Sequence, residues 1–433
     1  MTESAPAGVK SRLSAMMFLQ YAIWGAWLPL LWPFLENVRG MDGGQIGDIF
    51  AVGAIGAIVA PFIAGQIADR YFSTEKFLAI SHLLGAALVW QLATIDSYSG
   101  FLAFSLLYSI IYSPTLSLTN SIAFHHLPDR DRDFGKVRVW GTVGWIVVGI
   151  GIGQWLAASH SPAGLTGDAL DMARYRGMAD AFRLSAILGA AMGLFCLTLP
   201  HTPPTKGAQK NATFEALGEV KRSRTLLVLF LLAVPVSCIH QFYFVHTAGF
   251  LGEFQSDAAE AIDRVFGVGG GGLMTIGQMS EIVVLALIPV VAKKVSRKAL
   301  LGAGLVAYGL RMAIFSQAET LPEAIRTPAV MFGIALHGLC FGCFVFVAFM
   351  VVDEETSGDV RASAQSLFNL VIVGIGIIVG SKIAGSVADW AKLDDGSTDY
   401  AALFSVPMWA SLACLVLLAL FYRAGANDPS RAA

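Results

Sequence analysis

Twelve apolar runs, each close to the length that crosses a lipid bilayer, constrain this chain more than any other feature of its sequence. A hydrocarbon layer about 30 Å thick is crossed by about 20 residues of α-helix. In lipid, only helices and closed barrels pair every backbone polar group, and the alternating segments of about 10 residues that build a barrel are missing from the sequence. We therefore predict an all-α membrane protein with twelve transmembrane helices, at roughly 13–35, 45–66, 77–95, 99–122, 138–158, 181–200, 225–250, 271–292, 299–317, 328–351, 362–386 and 401–422.

The composition supports lipid as the main solvent of this chain. Charged residues make up 14% of it and hydrophobic residues 55%, whereas a soluble domain carries about 25% charged residues. The net charge of −2 gives no basic excess of the kind that nucleic-acid binding needs. All five cysteines lie inside apolar runs, which is typical of packing rather than of disulfides or a metal site. We expect no cofactor, no metal and no nucleic-acid partner.

The distribution of Lys and Arg predicts how the helices are oriented. If the N-terminus is cytoplasmic, the inside segments hold 20 of the 29 basic residues and the outside loops hold 7. Cytoplasmic loops of membrane proteins carry this excess of positive charge. We therefore predict that both termini are cytoplasmic. The first run is longer than the apolar core of a signal peptide, so we expect it to remain as a helix.

The longest cytoplasmic connection divides the chain into two similar halves. Residues 1–200 are predicted to form an N-terminal six-helix half, and residues 225–433 a C-terminal half with a short cytoplasmic tail. The linker at 201–224 is rich in Pro, Lys and Thr. Two six-helix halves with a binding site between them near the bilayer midplane are the layout of a major facilitator transporter. This is the fold that we predict.

Short motifs along the chain narrow the family. The segment Gly65–Lys76, GQIADRYFSTEK, is similar to the cytoplasmic loop motif of the major facilitator superfamily, and Lys293-Lys294 with Arg297-Lys298 is a weaker counterpart. Further motifs follow in order: Phe18-Leu19-Gln20, Trp24-Gly25, Trp27-Leu28, Pro114-Thr115-Leu116, Arg138-Val139-Trp140-Gly141-Thr142, Leu199-Pro200-His201, Pro203, Gln278, Ser280-Glu281 and Arg361-Ala362-Ser363-Ala364-Gln365. The ordered series spans nearly the whole chain, and it resembles the bacterial nucleoside:proton symporter family.

Glu281 is the most informative single residue. It lies near the middle of the eighth run, where a charge costs at least about 2.5 kcal/mol. A carboxyl at this depth usually faces a cavity and can bind and release a proton. Gln278 lies three residues earlier on the same helix face, and its amide offers donors and acceptors for a ribose or a base edge. The resemblance places this pair in the nucleoside site; the alternative is a neutral Glu that bonds a neighbouring helix.

Helices 1 and 5 carry a second set of candidates. The resemblance implies that Arg138, Thr142 and Trp145 face the substrate, with Trp145 stacked on a base. Gln20 and Trp24 lie on a similar face of helix 1. The alternatives are an Arg138 side chain that extends to the interface, and Trp residues that belong to a membrane-interface belt.

Helices 7 and 10 show departures from the family pattern. The resemblance makes Gln241 a polar residue that faces the substrate, but Phe244 stands where we align a family Asn and Gly342 where we align an Asp. Phe341 and His337 are further candidates on helix 10, because an aromatic ring can stack on a base and imidazole can bond a hydroxyl or carry a proton. His240 is a candidate for the same reason. For each histidine, the alternative is simple packing.

Three other charged residues have expected roles outside the substrate site. Asp69 and Arg70 follow helix 2 on the cytoplasmic side and are predicted to form a gate latch. Arg311 lies in the ninth run, and we expect it to pair structurally with a carbonyl or a carboxylate. The alternative is a role in coupling.

These observations together predict a proton-coupled secondary transporter that imports nucleosides by alternating access across the bacterial inner membrane. Its expected partners are the nucleoside, protons and the lipid bilayer, and we expect a monomer. The alternative keeps the fold but changes the substrate to a sugar or another small polar metabolite, because positions 244 and 342 depart from the family. An enzyme is not expected, since the sequence shows no paired carboxylates, nucleophile elbow or metal spacing.

Overall fold

Long helices account for every run that is predicted to span the membrane. The computed structural model describes residues 8–63, 73–127, 130–203, 212–253, 257–357 and 361–423. Within these ranges the predicted all-α architecture is confirmed, with shorter helices at Asp168–Gly177, Ala212–Arg222 and Asp257–Phe266 in the connections. We number the long helices α1 (Val9–Arg39, with a 3₁₀ turn at Leu28–Leu30), α2 (Gly43–Ile63), α3 (Thr74–Leu92), α4 (Tyr98–His126), α5 (Arg130–Ser159), α6 (Ala179–Cys196), α7 (Arg224–Glu253), α8 (Thr275–Val291), α9 (Arg297–Ser316), α10 (Glu323–Glu355), α11 (361–390) and α12 (Tyr400–Phe421).

Length and hydropathy identify most of these helices as membrane spans. Among the described residues, ten helical stretches are long and apolar enough to cross a membrane. The helix α8 is apolar but has only 17 residues, and α3 carries Glu75, Lys76 and His82 within 19 residues. Both coincide with predicted runs, so the described part of the chain accommodates all twelve predicted spans.

The start of α8 lies later than predicted, and a glycine-rich turn precedes it. The helix begins at Thr275 rather than near residue 271. Gly267, Gly269 and Gly270 have φ angles of 80°, 87° and 77°, which a right-handed helix cannot contain. Val268 instead donates its backbone N–H to the carbonyl oxygen of Gly153 at 3.2 Å.

The chain forms two compact units. The first contains Met1–Ala208 together with Ala248–Thr275, and the second contains Gln209–Thr247 together with Ile276–Ala433. Residues 248–275 therefore belong to the first unit, although the sequence places them in the C-terminal half. The contact between Gly153 and the loop around Gly267 explains this assignment, because a Cβ at Gly267 would lie 2.2 Å from the carbonyl carbon of Gly153.

Two helices of the second unit contain a wider turn. Residues Cys340–Phe346 of α10 and Leu370–Ile375 of α11 are π-helical. A π turn leaves a carbonyl without its usual partner in the helix, and such turns are frequent at functional sites. In α11 the Ser237 hydroxyl donates to the carbonyl oxygen of Ile372 at 2.5 Å. This side-chain bond connects α7 to the π-helical turn of α11.

Small residues allow α1 and α5 to cross at very short range in the first unit. A Cβ at Gly144 would lie 2.2 Å from the carbonyl oxygen of Phe18, and one at Gly25 would lie 3.0 Å from the Cα of Trp145. Beside this crossing, Ala22, Ala26 and Val148 form a buried apolar cluster. Because lipid is as apolar as the side chains, close backbone packing is a main source of stability between membrane helices.

The crossing predicts a position-specific effect of added bulk. We expect Gly144→Val to destabilise the protein by about 1–3 kcal/mol, because overpacking of this size forces the backbones apart. Gly151→Val, on the same helix, is the matched control, since a Cβ there meets nothing within 4 Å. The measurement is the midpoint of thermal unfolding of the detergent-solubilised protein. Equal loss at both positions would contradict the proposed crossing.

Candidate functional site

His337 lies at the centre of a polar cluster inside the second unit. Its side chain is 1% exposed, and it stands on α10 just before the π-helical turn. Its ring stacks on Tyr243 of α7, with the centroids 4.7 Å apart and the planes 19° apart. His240, one turn earlier on α7, stacks on His337 at 5.3 Å. Two side chains from α7 therefore pack against the imidazole of α10 and hold it in one orientation.

The predicted pair on α8 faces one ring nitrogen of His337. The Oε2 atom of Glu281 lies 3.6 Å from His337 Nε2, and the amide nitrogen of Gln278 lies 3.5 Å from the same atom. Gln278 is 8% exposed, and the Glu281 side chain is 15% exposed. Gly277 and Gly338 allow this approach, because a Cβ at Gly277 would lie 2.9 Å from the His337 Cβ, and one at Gly338 would lie 2.5 Å from the Ser280 backbone.

Arg311 of α9 faces the other ring nitrogen. Its Nη1 atom donates to His337 Nδ1 at 3.2 Å. The guanidinium carbon lies 4.2 Å from the ring centroid of Tyr243 and 5.2 Å from that of Tyr308. The sequence-based expectation of a carbonyl or carboxylate partner is not what the structure shows: the acceptor is an imidazole nitrogen, and the rest of the cation lies against aromatic faces.

These contacts assign the tautomer of His337. A guanidinium can only donate, so Nδ1 of His337 must accept and cannot carry a proton. The single proton of the neutral ring is then on Nε2, where it faces the Glu281 carboxylate. The Gln278 amide must then turn its oxygen toward this N–H, because its nitrogen can only donate. The cluster thus presents an N–H donor toward a carboxylate, with a permanent cation on the opposite side of the ring.

Aromatic side chains line the same cluster. The ring of Phe244 lies 5.1 Å from that of His240, and Phe341 lies 6.4 Å from it. The Nδ1 atom of His240 lies 2.6 Å from the hydroxyl oxygen of Tyr308. Flat faces and hydrogen-bonding groups therefore occur together, which suits a ligand that has both a ring and hydroxyls.

The two positions on α7 and α10 that we expect to depart from the family pattern are closely packed. Phe244 stacks edge-to-face against His337 at 5.8 Å. Gly342 lies in the π-helical turn, where a Cβ would be 2.6 Å from Cγ1 of Val284. A carboxylate at position 342 would need Val284 to move. Gln241 is 6% exposed and packs beside Gly380 of α11.

In the first unit, Gln20 belongs to a buried hydrogen-bonded chain. Its side-chain nitrogen donates to Thr115 Oγ1 at 2.8 Å, and its side-chain oxygen lies 3.0 Å from His82 Nε2. The Tyr112 hydroxyl donates to the backbone carbonyl of Gln20, and the ring of Tyr112 lies 5.1 Å from that of Trp24. Gln20 itself is fully buried, whereas Trp24 is half-buried.

The candidates on α5 lie along the α1 crossing. The guanidinium carbon of Arg138 lies 4.0 Å above the ring of Tyr21. Trp145 packs on Gly25, and Thr142 is half-buried on the same helix. Arg138 thus stacks on Tyr21, which differs from the alternative of a side chain that extends toward the membrane interface. Asp69 and Arg70 lie outside the described residues.

The structure thus brings together part of the predicted site and adds residues that the sequence analysis missed. Within the second unit it joins Gln278, Glu281 and His337 with Phe244 and Phe341. The missed contributors to these two clusters are Tyr243, Tyr308, His82, Thr115 and Tyr112, with Arg311 in an unexpected role. A polar side chain inside an apolar run was the available signal for each of them, but the sequence does not say which polar side chains meet.

Comparisons with known proteins show the family and the fold of this chain. The model of the family described as "Nucleoside H+ symporter" matches residues 7–427. The putative nucleoside transporter YegT of Escherichia coli K12 is 34% identical over 388 residues, covering 87% of this chain and 83% of that protein. The nucleoside permease NupG of the same organism is 28% identical over 407 residues, covering 92% of each chain. The crystal structure of NupG superimposes with a TM-score of 0.83 at 25% identity, covering 96% of this chain and all of that chain. The major facilitator fold predicted from the sequence is confirmed.

The buried chain around Gln20 predicts a stability effect. We expect Gln20→Leu to lower the free energy of unfolding by about 1–3 kcal/mol, because it removes the acceptor of the buried His82 ring and the donor to Thr115, whose hydroxyl keeps only its bond to the Tyr112 carbonyl. The same substitution at the exposed Gln91 on α3 is the control, and it should be close to neutral. Thermal unfolding in detergent gives the comparison; a Gln20→Leu variant as stable as Gln91→Leu would refute the structural role.

Proposed function

Because the chain belongs to the nucleoside H+ symporter family, we propose that it imports nucleosides together with protons by alternating access. The observation that carries the proposal is Glu281 held beside His337 and Gln278 inside the apolar second unit. A carboxyl in this setting can bind a proton, and the groups around it can bind a polar ligand that contains a ring. The family match over nearly the whole chain supports the same activity.

The chemistry of the cluster suits a nucleoside. The Gln278 amide offers both donor and acceptor atoms, and Glu281 can accept from a ribose hydroxyl. The rings of Phe244 and Phe341 provide apolar faces of the kind on which a base stacks. In the first unit, we propose Trp24, Arg138, Thr142 and Trp145 as further substrate contacts. The Gln20 amide is engaged with its neighbours, so its role at the substrate would be to hold Trp24 in place through Tyr112.

The membrane potential can drive the transport that we propose. One positive charge that moves inward across 100 mV contributes about 2.3 kcal/mol, which corresponds to roughly 50-fold accumulation of a neutral substrate. A pH gradient adds to this. Proton binding at Glu281 is the step that would connect either gradient to the substrate.

We propose that the protein lies in the bacterial inner membrane with both termini in the cytoplasm. The support is the excess of Lys and Arg in the predicted inside segments, 20 against 7. A fluorescent protein that folds only in the cytoplasm, fused after Ala433, should therefore fluoresce. A dark fusion whose alkaline-phosphatase counterpart is active would reverse the orientation.

Glu281 gives the most direct test of proton coupling. We expect Glu281→Gln to abolish accumulation driven by an imposed proton gradient, because the amide keeps the size and hydrogen bonding but cannot release a proton. Counterflow exchange of labelled nucleoside, which needs no gradient, should persist in part. Glu281→Ala should lose both activities, since it also removes a substrate partner.

Uptake into proteoliposomes with and without a gradient separates these outcomes. Glu319 near the outer end of α9 is exposed, so Glu319→Gln is a matched control that should behave as wild type. Gradient-driven accumulation by Glu281→Gln at the wild-type level would move the coupling to another residue.

A competition experiment separates the nucleoside from the alternative substrate. Phe244 and Gly342 replace polar groups that the family pattern places on α7 and α10, so a sugar or another polar metabolite is the second candidate. We expect unlabelled nucleosides to inhibit uptake of a labelled nucleoside, and sugars at the same concentration to leave it unchanged. Inhibition by sugars alone, or uptake of a labelled sugar, would favour the second candidate.

A further inference from the structure

Arg311 is a buried cation whose position calls for a functional explanation. Its side chain is 0% exposed and lies among apolar and aromatic residues of the second unit. Placing a charge in such surroundings costs several kcal/mol unless it is well compensated. Within the described residues its Nε and Nη2 atoms make no hydrogen bond, and Nη1 bonds only to His337. Packing alone would be better served by an apolar side chain of similar size.

The bond to His337 links Arg311 to the proposed proton site. The cation lies 3.2 Å from one ring nitrogen, and the Glu281 carboxylate lies 3.6 Å from the other. A neutral imidazole therefore stands between a fixed positive charge and a carboxylate that gains and loses a proton. The 3.6 Å separation is within the range of an ion pair but longer than a formed hydrogen bond, so the interaction across it is mainly electrostatic.

We propose that Arg311 is the positioning residue of proton coupling, because it locks His337 with its N–H directed at Glu281 and thereby makes Glu281 the only group of the pair that takes up the proton. This inference rests on the proposed function. With Nδ1 of His337 occupied by the guanidinium, the ring has no free lone pair to accept a second proton. The proton from the medium adds to a carboxylate oxygen of Glu281 and later leaves from it, and His337 keeps its own proton throughout.

The chain of contacts from Arg311 through His337 to Glu281, which we call the bridge, also stabilises the ionised carboxylate. When Glu281 is charged, the His337 N–H and the cation behind it favour that state. When Glu281 is protonated, the anionic end of the bridge is lost and the contact with α10 weakens. Because α10 continues from His337 into a π-helical turn, this is a place where the helix can adjust.

Other polar groups contact the cluster from each helix packed around it, and a pH experiment has to take them into account. Those facing His337 or Arg311 are His240 and Tyr243 from α7, Gln278 and Glu281 from α8 and Tyr308 from α9. The buried Cys340 thiol lies one turn further along α10. The Tyr308 hydroxyl is paired with His240. His240 is therefore the remaining ring that could respond to the loss of the cation.

The first test replaces the cation. In proteoliposomes, we expect Arg311→Gln to move the external pH of half-maximal nucleoside uptake upward by about one unit, the effect of losing one charge-assisted bond to the ionised site. Arg311→Lys keeps a charged donor and should restore most of the wild-type profile. Arg326→Gln is the matched control, since Arg326 donates to the Glu319 and Leu321 carbonyls near the start of α10 and should leave the profile unchanged.

The second test separates the two ring nitrogens and keeps the cation. In His337→Asn the amide oxygen can replace Nδ1 as the acceptor for Arg311, but no N–H reaches Glu281. In His337→Gln the amide can replace the donor at Nε2, but the acceptor for Arg311 is lost. We expect His337→Asn to shift the pH profile upward as Arg311→Gln does. The double variant Arg311→Gln/His337→Asn should shift no further, because both changes break one bridge.

Three results have distinct meanings. Additive shifts in the double variant, or a wild-type pH profile for Arg311→Gln, would overturn the role of Arg311 even if the wild-type protein transports nucleosides. Failure of Arg311→Gln to fold leaves the histidine pair as the deciding experiment, and a wild-type profile for His337→Asn would then overturn the proposal. Absence of nucleoside counterflow in the wild-type protein would instead reject the proposed function.

Discussion

The need to pair every backbone polar group inside hydrocarbon governs the whole structure. It explains why the described spans are helices, and it also explains where their irregular turns are tolerated. The carbonyl of Ile372 beside the π-helical turn of α11 accepts from Ser237, and the carbonyl of Ala384 lies 3.1 Å from the His246 ring. Polar side chains from α7 thus hydrogen-bond to the backbone of α11 inside the membrane-spanning region. The same constraint raises the energetic cost of each polar group that has no partner.

The bilayer also requires the helices to pack closely without help from the hydrophobic effect, because lipid is as apolar as their side chains. Small residues occur at the tightest contacts: Gly25 and Gly144 where α1 crosses α5, and Gly277 and Gly338 where α8 meets α10. Because glycine has no side chain, polar groups can also approach one another at these contacts. Gly277 leaves room for the Tyr243 hydroxyl and for His337, so the glycine pattern contributes to the geometry of the proposed proton site and not only to stability.

Charge inside the second unit is arranged in a defined order, from Arg311 through His337 to Glu281. Each member explains the next: the guanidinium can only donate, the ring must therefore carry its proton on Nε2, and that proton faces the carboxylate. The ion pair between Arg297 and Glu354 is built differently. Arg297 and Glu354 form a bidentate pair at 2.7 and 3.0 Å that connects the start of α9 to the end of α10. The Arg297–Glu354 pair is saturated, because each carboxylate oxygen has a donor. The cluster around His337, in contrast, can change its protonation.

The sequence by itself determined the number of helices, their approximate bounds, the family and the pairing of Gln278 with Glu281. These are local properties, because hydropathy is read over about twenty residues and residues three apart share a helix face. Only the tertiary structure decided that Arg311 faces His337, that Thr115 and His82 enclose Gln20, and that residue 342 lies in a π-helical turn against Val284. Such contacts join residues that are far apart in the chain, and they depend on how the helices are rotated and packed. Hydropathy cannot report that rotation, because in lipid an apolar helix face is compatible with either a neighbouring helix or the bilayer.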